Sequence, residues 1–214
     1  MQDGVLRILL PRAEGADLSP YAAALTAAGA AWADETDDPL TFDGLLLTPA
    51  ADEQTAKMLG MRFSDHALPI FALGCAALWL NEIFGGRRGD GKPGVIGRHR
   101  LHTRADSLFY DLYDTEFTSP FATRPGIAAC GWGICPAAWG EDGVTEGFVH
   151  TALPVFGALF FLPLQGEGGY APGLPLYRYF LCLCREKNGR MYPAYRRDPD
   201  VRFALGMLDE EEDV

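Results

Sequence analysis

The chain has 214 residues, 48% hydrophobic and 22% charged, the make-up of an ordinary soluble globular protein with one full-sized core, so a single domain over residues 1–214 is expected. Eighteen basic against 29 acidic residues leave a net charge of -11, and no basic stripe is present to neutralise phosphates, which excludes a nucleic-acid partner. The longest strongly apolar stretch, "TALPVFGALFFLPL", is broken by prolines and too short to span a bilayer, so no membrane partner is expected.

In chain order, "VLRILLP" (5–11) is a short apolar run ended by proline and predicts a buried first strand. "SPYAAALTAAG" predicts a helix with Ser19 as N-cap, Pro20 at the first helical position and Gly29 as its stop. "FDGLLLTP" (42–49) and "PIFALG" are two more buried strands, the second running into a helix over 76–84. Strands alternating with helices indicate an α/β fold with a central, mostly parallel sheet flanked by helices. The crevice of such a sheet lies beyond the carboxyl ends of its strands, which singles out "TPAAD" and "LGCAA".

Beyond residue 87 the texture changes. "GRRGDGKPG" reads as a surface loop, since it lacks the lysine-threonine pairing of a phosphate loop. "IAACGWGICPAAW", "GVTEGFVHTAL" and "VFGALFFLP" predict strands joined by tight turns, a small antiparallel extension of the sheet. "LPLYRYFLCLCREK" (174–187) predicts a closing helix ended by Asn188-Gly189. The remainder, about 188–214, is a C-terminal extension ending in the acidic run "LDEEEDV". Five cysteines, an odd number at irregular spacing, predict reduced thiols and a cytoplasmic location; the amino terminus, with Asp3 and a brief apolar run, does not read as a signal peptide.

The order of these pieces resembles the class I glutamine amidotransferase-like family, and within it the gamma-glutamyl hydrolase (gamma-glutamyl-gamma-aminobutyrate hydrolase-like) branch. That family has a strand ending in an oxyanion loop, then P-x-x-x-x-C at a nucleophile elbow whose helix ends in a double glycine, and later G-V-Q-F-H-P-E. The corresponding stretches here are "LLLTPAAD", "PIFALGCAALWLNEIFGG" and "PVFGALFFLPLQ", with "EDGVTEGF" similar to the family's D-G-x-x-E-A turn. The resemblance spans most of residues 40–185, anchored at Pro69, Asn81, Gly85-Gly86 and 157–160, and implies a flavodoxin-like amidotransferase fold.

Counted forward from Pro69 or back from Gly85, the family's cysteine falls on Gly74. Its histidine falls on Phe161, its glutamate on Pro163 and its oxyanion-loop glycines on Ala50 and Ala51. Its substrate-side S-F-H-H-Q falls on "SPFAT", without either histidine. Cys75 stands one residue past the elbow, where a helical step turns a side chain by about 100° and lifts it about 1.5 Å. No catalytic residue is therefore expected, and the chain reads as a pseudoenzyme acting by binding. Ala50, Ala51, Gly74, Cys75 and Phe161 would line the site, with a small apolar or amino-acid-like ligand or a protein partner as occupant. The alternative is a divergent hydrolase of gamma-glutamyl amide bonds with Cys75 as nucleophile and His99, His102 or His150 as base. A third reading is a structural component of an oligomeric assembly, a homo-oligomer included.

No cofactor and no metal is predicted. His99 and His102 in "RHRLH" lack further ligands at suitable spacing, and that stretch reads as a polar surface loop or strand edge. The cysteines of "CGWGIC" and "CLC" read as free thiols, the latter pair being about 200° apart on a helix. Trp79, Phe84 and "FGALFF" are expected to line or fill the old cleft.

Overall fold

The computed structural model describes residues 5–89, 95–122, 126–164 and 171–187. The C-terminal extension, Asn188-Gly189 and residues 90–94 of "GRRGDGKPG" lie outside the described residues, while Arg87–Arg88 of that stretch form a short strand where a loop is expected. β1 (Arg7–Leu9), α1 (Ser19–Ala27), β2 (Ala31–Ala33), a 3-10 turn (Pro39–Thr41), β3 (Gly44–Leu47), α2 (Glu53–Asp65), β4 (Ile70–Leu73) and α3 (Cys75–Ile83) form the first half. The second half holds β5 (Arg87–Arg88), β6 (Val95–Thr103), α4 (Leu108–Tyr113), β7 (Glu116–Ala122), β8 (Ile127–Ala129), β9 (Ile134–Gly140), β10 (Thr145–His150), β11 (Val155–Ala158), β12 (Phe160–Phe161) and α5 (Leu174–Lys187).

One sheet runs through both halves in the order β2-β1-β3-β4-β11-β10-β9-β6-β7-β12, with β8 on β10 and β5 on β8. The strands from β2 to β11 are parallel, and the antiparallel extension begins where β10 joins β11. β3, β4 and β11 are apolar and buried throughout because both their faces are covered. Phe71 and Leu73 of β4 point into a core shared with α1, α4 and α5, while Ile70 and Ala72 point into one shared with α2 and α3. Phe71 stacks on Phe156 at 4.4 Å between centroids. α5 closes the first face against β3, where a side chain on Gly44 would meet Cys184 Sγ at 2.5 Å, so that only glycine lets the helix approach this near.

Four expectations are corrected. Ser19 is not the N-cap: it is the first helical residue, Leu18 precedes it without a side-chain cap, and Asp17 Oδ1 instead accepts the Ser19 N–H at 2.8 Å. "RHRLH" is neither loop nor edge but part of β6, flanked by β7 and β9, so the extension reaches further than the turn signals suggest. "VFGALFFLP" is two strands: β11 joins β4, and β12 crosses to β7. The elbow helix also begins one residue early, at Cys75. No helix among the described residues is long and apolar enough to cross a membrane.

Candidate functional site

The crevice lies at the carboxyl ends of β3, β4 and β11, where three segments meet. At the first, β4 ends at Leu73 and α3 starts at Cys75, so the whole reversal falls on Gly74, at φ 56° and ψ -132°. This is a conformation that costs a side-chain-bearing residue about 1–3 kcal/mol and costs glycine little. The Gly74 N–H donates to the Ala158 carbonyl at 2.8 Å, which ties the turn to the end of β11. Cys75 is the first helical residue and half-buried. Burial pushes its thiol pKa up and the Glu53 carboxylate adds to that, against a partial opposing pull from nearby backbone N–H groups and Arg88. The group is held as a thiol, the weaker nucleophile.

The far end of α3 explains why Asn81 and the double glycine survive. Asn81 is fully buried; its Nδ2 donates to the Ala129 carbonyl at 3.0 Å and its Oδ1 accepts the Gly131 N–H at 2.9 Å. Gly85 adopts φ 83°, and a side chain on Gly86 would meet the Asn81 amide at 2.2 Å. The motif therefore pins the loop between β8 and β9 to the helix end, a structural task separate from chemistry at the other end.

The second segment is the loop from β3 to α2. The Ala50 N–H donates to Thr48 Oγ1 at 3.2 Å, the Ala51 N–H to the Thr48 carbonyl at 3.0 Å, and the Ala50 carbonyl accepts the Ala13 N–H at 2.7 Å. Asp52 caps α2 by accepting the Thr55 N–H at 2.8 Å, and that bond holds its carboxyl below the usual range. An oxyanion hole needs backbone N–H groups aimed outward at developing charge. Here the amides at the two positions of the resemblance turn back onto Thr48.

The third segment is β12. Phe160 is buried against Phe109 and Phe117, while Phe161 is half-buried and meets Tyr21 of α1 edge-on at 6.4 Å. Phe161, Leu164 and Leu174 face Pro20, Ala23, Ala24 and Ala27 of α1 across an apolar cleft of about 320 Å³. The Pro163 carbonyl accepts the Gly173 N–H at 2.9 Å. Ser119, the described part of "SPFAT" with a visible role, donates its hydroxyl to the Phe161 carbonyl at 2.7 Å and fixes β12 on β7. The resemblance did not flag Tyr21 or the alanine face of α1; the small-residue spacing of "YAAALTAAG" was the available signal.

Each of the four histidines has one ring nitrogen near a polar group. His66 Nδ1 lies 2.9 Å from the Arg62 carbonyl oxygen, and His102 Nδ1 is 3.9 Å from the Glu116 carboxylate. His99 Nε2 lies 2.6 Å from Glu146 Oε1, which is fully buried. His150 Nδ1 accepts backbone N–H groups of the turn that follows it. A register shift between Thr145 and Gly147 re-aims Glu146 toward β6, and Gly140 between them leaves the room. His99 and His102 are an odd number of residues apart on a strand and so face opposite sides. Among the described residues no three metal-ligating side chains come together. Cys182 and Cys184 are buried thiols of α5 outside any disulfide, Cys130 and Cys135 half-buried ones, and Trp79 and Phe84 pack with the core on the α3 side.

No family model matches the sequence, and no curated protein matches it. Solved structures do match. A protein assigned as a GMP synthase component from Thermoplasma acidophilum superposes with a TM-score of 0.70 at 18% identity, over 87% of this chain and 98% of that one. A glutamine amidotransferase from Thermotoga maritima gives 0.60 at 11% identity, over 96% and 95%. A glutamine amidotransferase from Methylobacillus flagellatus gives 0.56 at 11% identity, over 89% and 96%. At these identities the likeness is one of fold, the class I glutamine amidotransferase fold.

Proposed function

We propose that this chain is a non-catalytic protein on the glutamine amidotransferase fold, akin to the gamma-glutamyl hydrolase branch, that binds a small uncharged apolar ligand beside the former reaction centre. One observation carries the reading. The turn that would present a nucleophile is made by Gly74 at φ 56°, and Phe161, where the resemblance implies the base, is a wall of the apolar cleft. A ligand held by Pro20, Ala23, Ala24, Phe161, Leu164 and Leu174 gains from removal of hydrocarbon from water and meets no charged side chain. Five free cysteines fit a reduced cytoplasmic setting.

The test has two arms. Purified protein incubated with glutamine and with gamma-glutamyl amides should release neither ammonia nor amine, and methyl resonances of Ala23, Ala24 and Leu174 should shift on titration with small aliphatic and aromatic compounds. Phe161→Asp should abolish those shifts. Hydrolysis that disappears in Cys75→Ala would overturn the reading in favour of a thiol hydrolase. Its half-buried, raised-pKa thiol and the engaged histidines argue against that outcome.

A further inference from the structure

His150 ends β10, is 6% exposed, and has no place in the crevice. Its Nδ1 accepts two backbone N–H groups, from Ala152 at 3.1 Å and Leu153 at 3.0 Å. A ring nitrogen that accepts two donors must carry its lone pair, so the proton of the neutral ring sits on Nε2. That Nε2 is buried without a hydrogen-bond partner and faces Gly133, where a side chain would come within 2.3 Å. Phe84, at the end of α3, covers one side of the ring at 4.8 Å between centroids, and Trp132 covers another at 5.6 Å. The Thr151 N–H donates to the Gly133 carbonyl at 2.9 Å, and the Trp132 N–H to the Phe84 carbonyl at 2.7 Å. Three segments thus converge on one imidazole: the α3 terminus, the loop before β9, and the turn from β10 to β11.

We propose that His150 is an acid-sensitive clasp, whose protonation at Nδ1 expels the Ala152 and Leu153 N–H groups and frees the turn from β10 to β11. A proton can arrive nowhere else on the ring, and once there it confronts two N–H donors in place of the lone pair that held them. No carboxylate among the described residues faces the ring to stabilise the cation: Phe84 and Trp132 offer only the weak attraction of their π faces, Gly133 is uncharged, and the thiols of the neighbouring strand ends, Cys130 and Cys135, are half-buried, that of Cys130 with a pKa raised by its burial. Glu82, two residues before Phe84, is already bound by Arg88 and Lys57. Burial alone lowers the His150 pKa from 6.5. With the folded value below the unfolded one, the unfolded chain binds more protons in between, so the stability contribution is whole above 6.5 and is lost as pH falls toward the folded value.

The test follows the ring nitrogens and the two amides by NMR between about pH 7.5 and about pH 4.5 on the wild type, His150→Asn and His150→Leu. Asparagine keeps an acceptor for backbone N–H groups two and three residues on but does not titrate in this range. In the wild type, Nδ1 should be unprotonated at neutral pH, and hydrogen-exchange protection at Ala152 and Leu153 should fall at least about tenfold as the ring takes up its proton. His150→Asn should retain that protection across the range, and His150→Leu should lack it at every pH. Protection that survives ring protonation, a neutral ring with its proton on Nδ1, or an Asn variant with the wild-type pH response would each overturn the proposal; the wild-type readings stand even if a variant fails to fold.

Discussion

At its carboxyl end, α3 is tied into the sheet by Asn81, which satisfies Ala129 and Gly131, and by two glycines whose missing side chains make room for the bend and the amide. At its amino end the same helix follows a turn of the elbow shape, yet Gly74 carries no side chain and Cys75 looks into packing. One nine-residue helix carries a fully employed motif at one end and, at the other, a turn whose residue has no side chain. On the proposed non-catalytic reading, the geometry of an elbow and the reactivity of an elbow are separately encoded. The bend is held by strand pairing and by the Gly74 to Ala158 hydrogen bond, neither of which needs a nucleophile.

That contrast can be broken from either end, and the larger effect is expected at the carboxyl end. Asn81→Ala strands the half-buried Ala129 carbonyl and Gly131 N–H, and should cost about 3 kcal/mol in urea denaturation at constant slope. Gly74→Ala places a side chain at φ 56° and should cost about 1–3 kcal/mol by the same measurement; a neutral result would mean that the bend relaxes without strain. Cys75→Ala should change stability by about 1 kcal/mol or less, because the thiol is half-buried, and on the proposed reading neither it nor the parent chain should release ammonia from glutamine. If these three fall in the reverse order, the amino end of α3 carries more than its backbone shape.

The elbow was legible because two independent counts, from Pro69 and from Gly85, meet on Gly74, and the structure puts the left-handed turn at that residue. The closing helix was legible too, since its leucines and aromatics recur at helical spacing over 174–187, the bounds observed. What could not be read was anything settled at long range. Asn81 makes its bonds 48 and 50 residues away, and nothing local to "LWLNEIF" tells of them. β6 hid in "RHRLHT", because charged residues on one side of a strand imitate a loop until β7 and β9 are seen to flank it. α2 went unread as well, since its cap, Asp52, sits inside the "TPAAD" segment that the resemblance assigns to the crevice. Ser19 misled for a related reason: a serine ahead of a proline looks like a cap, but Asp17 takes that N–H from outside the helix.

The bare Gly44 under α5 makes the molecule its own stopwatch. Cys184 Sγ rests where no side chain on β3 could fit, is fully enclosed, and has its ionisation pushed far up by that enclosure. An alkylating reagent can reach it only after the helix lifts from the strand, so the rate at which the sulfur is capped counts those departures, while the half-buried Cys75, Cys130 and Cys135 are capped earlier and mark the zero of the clock.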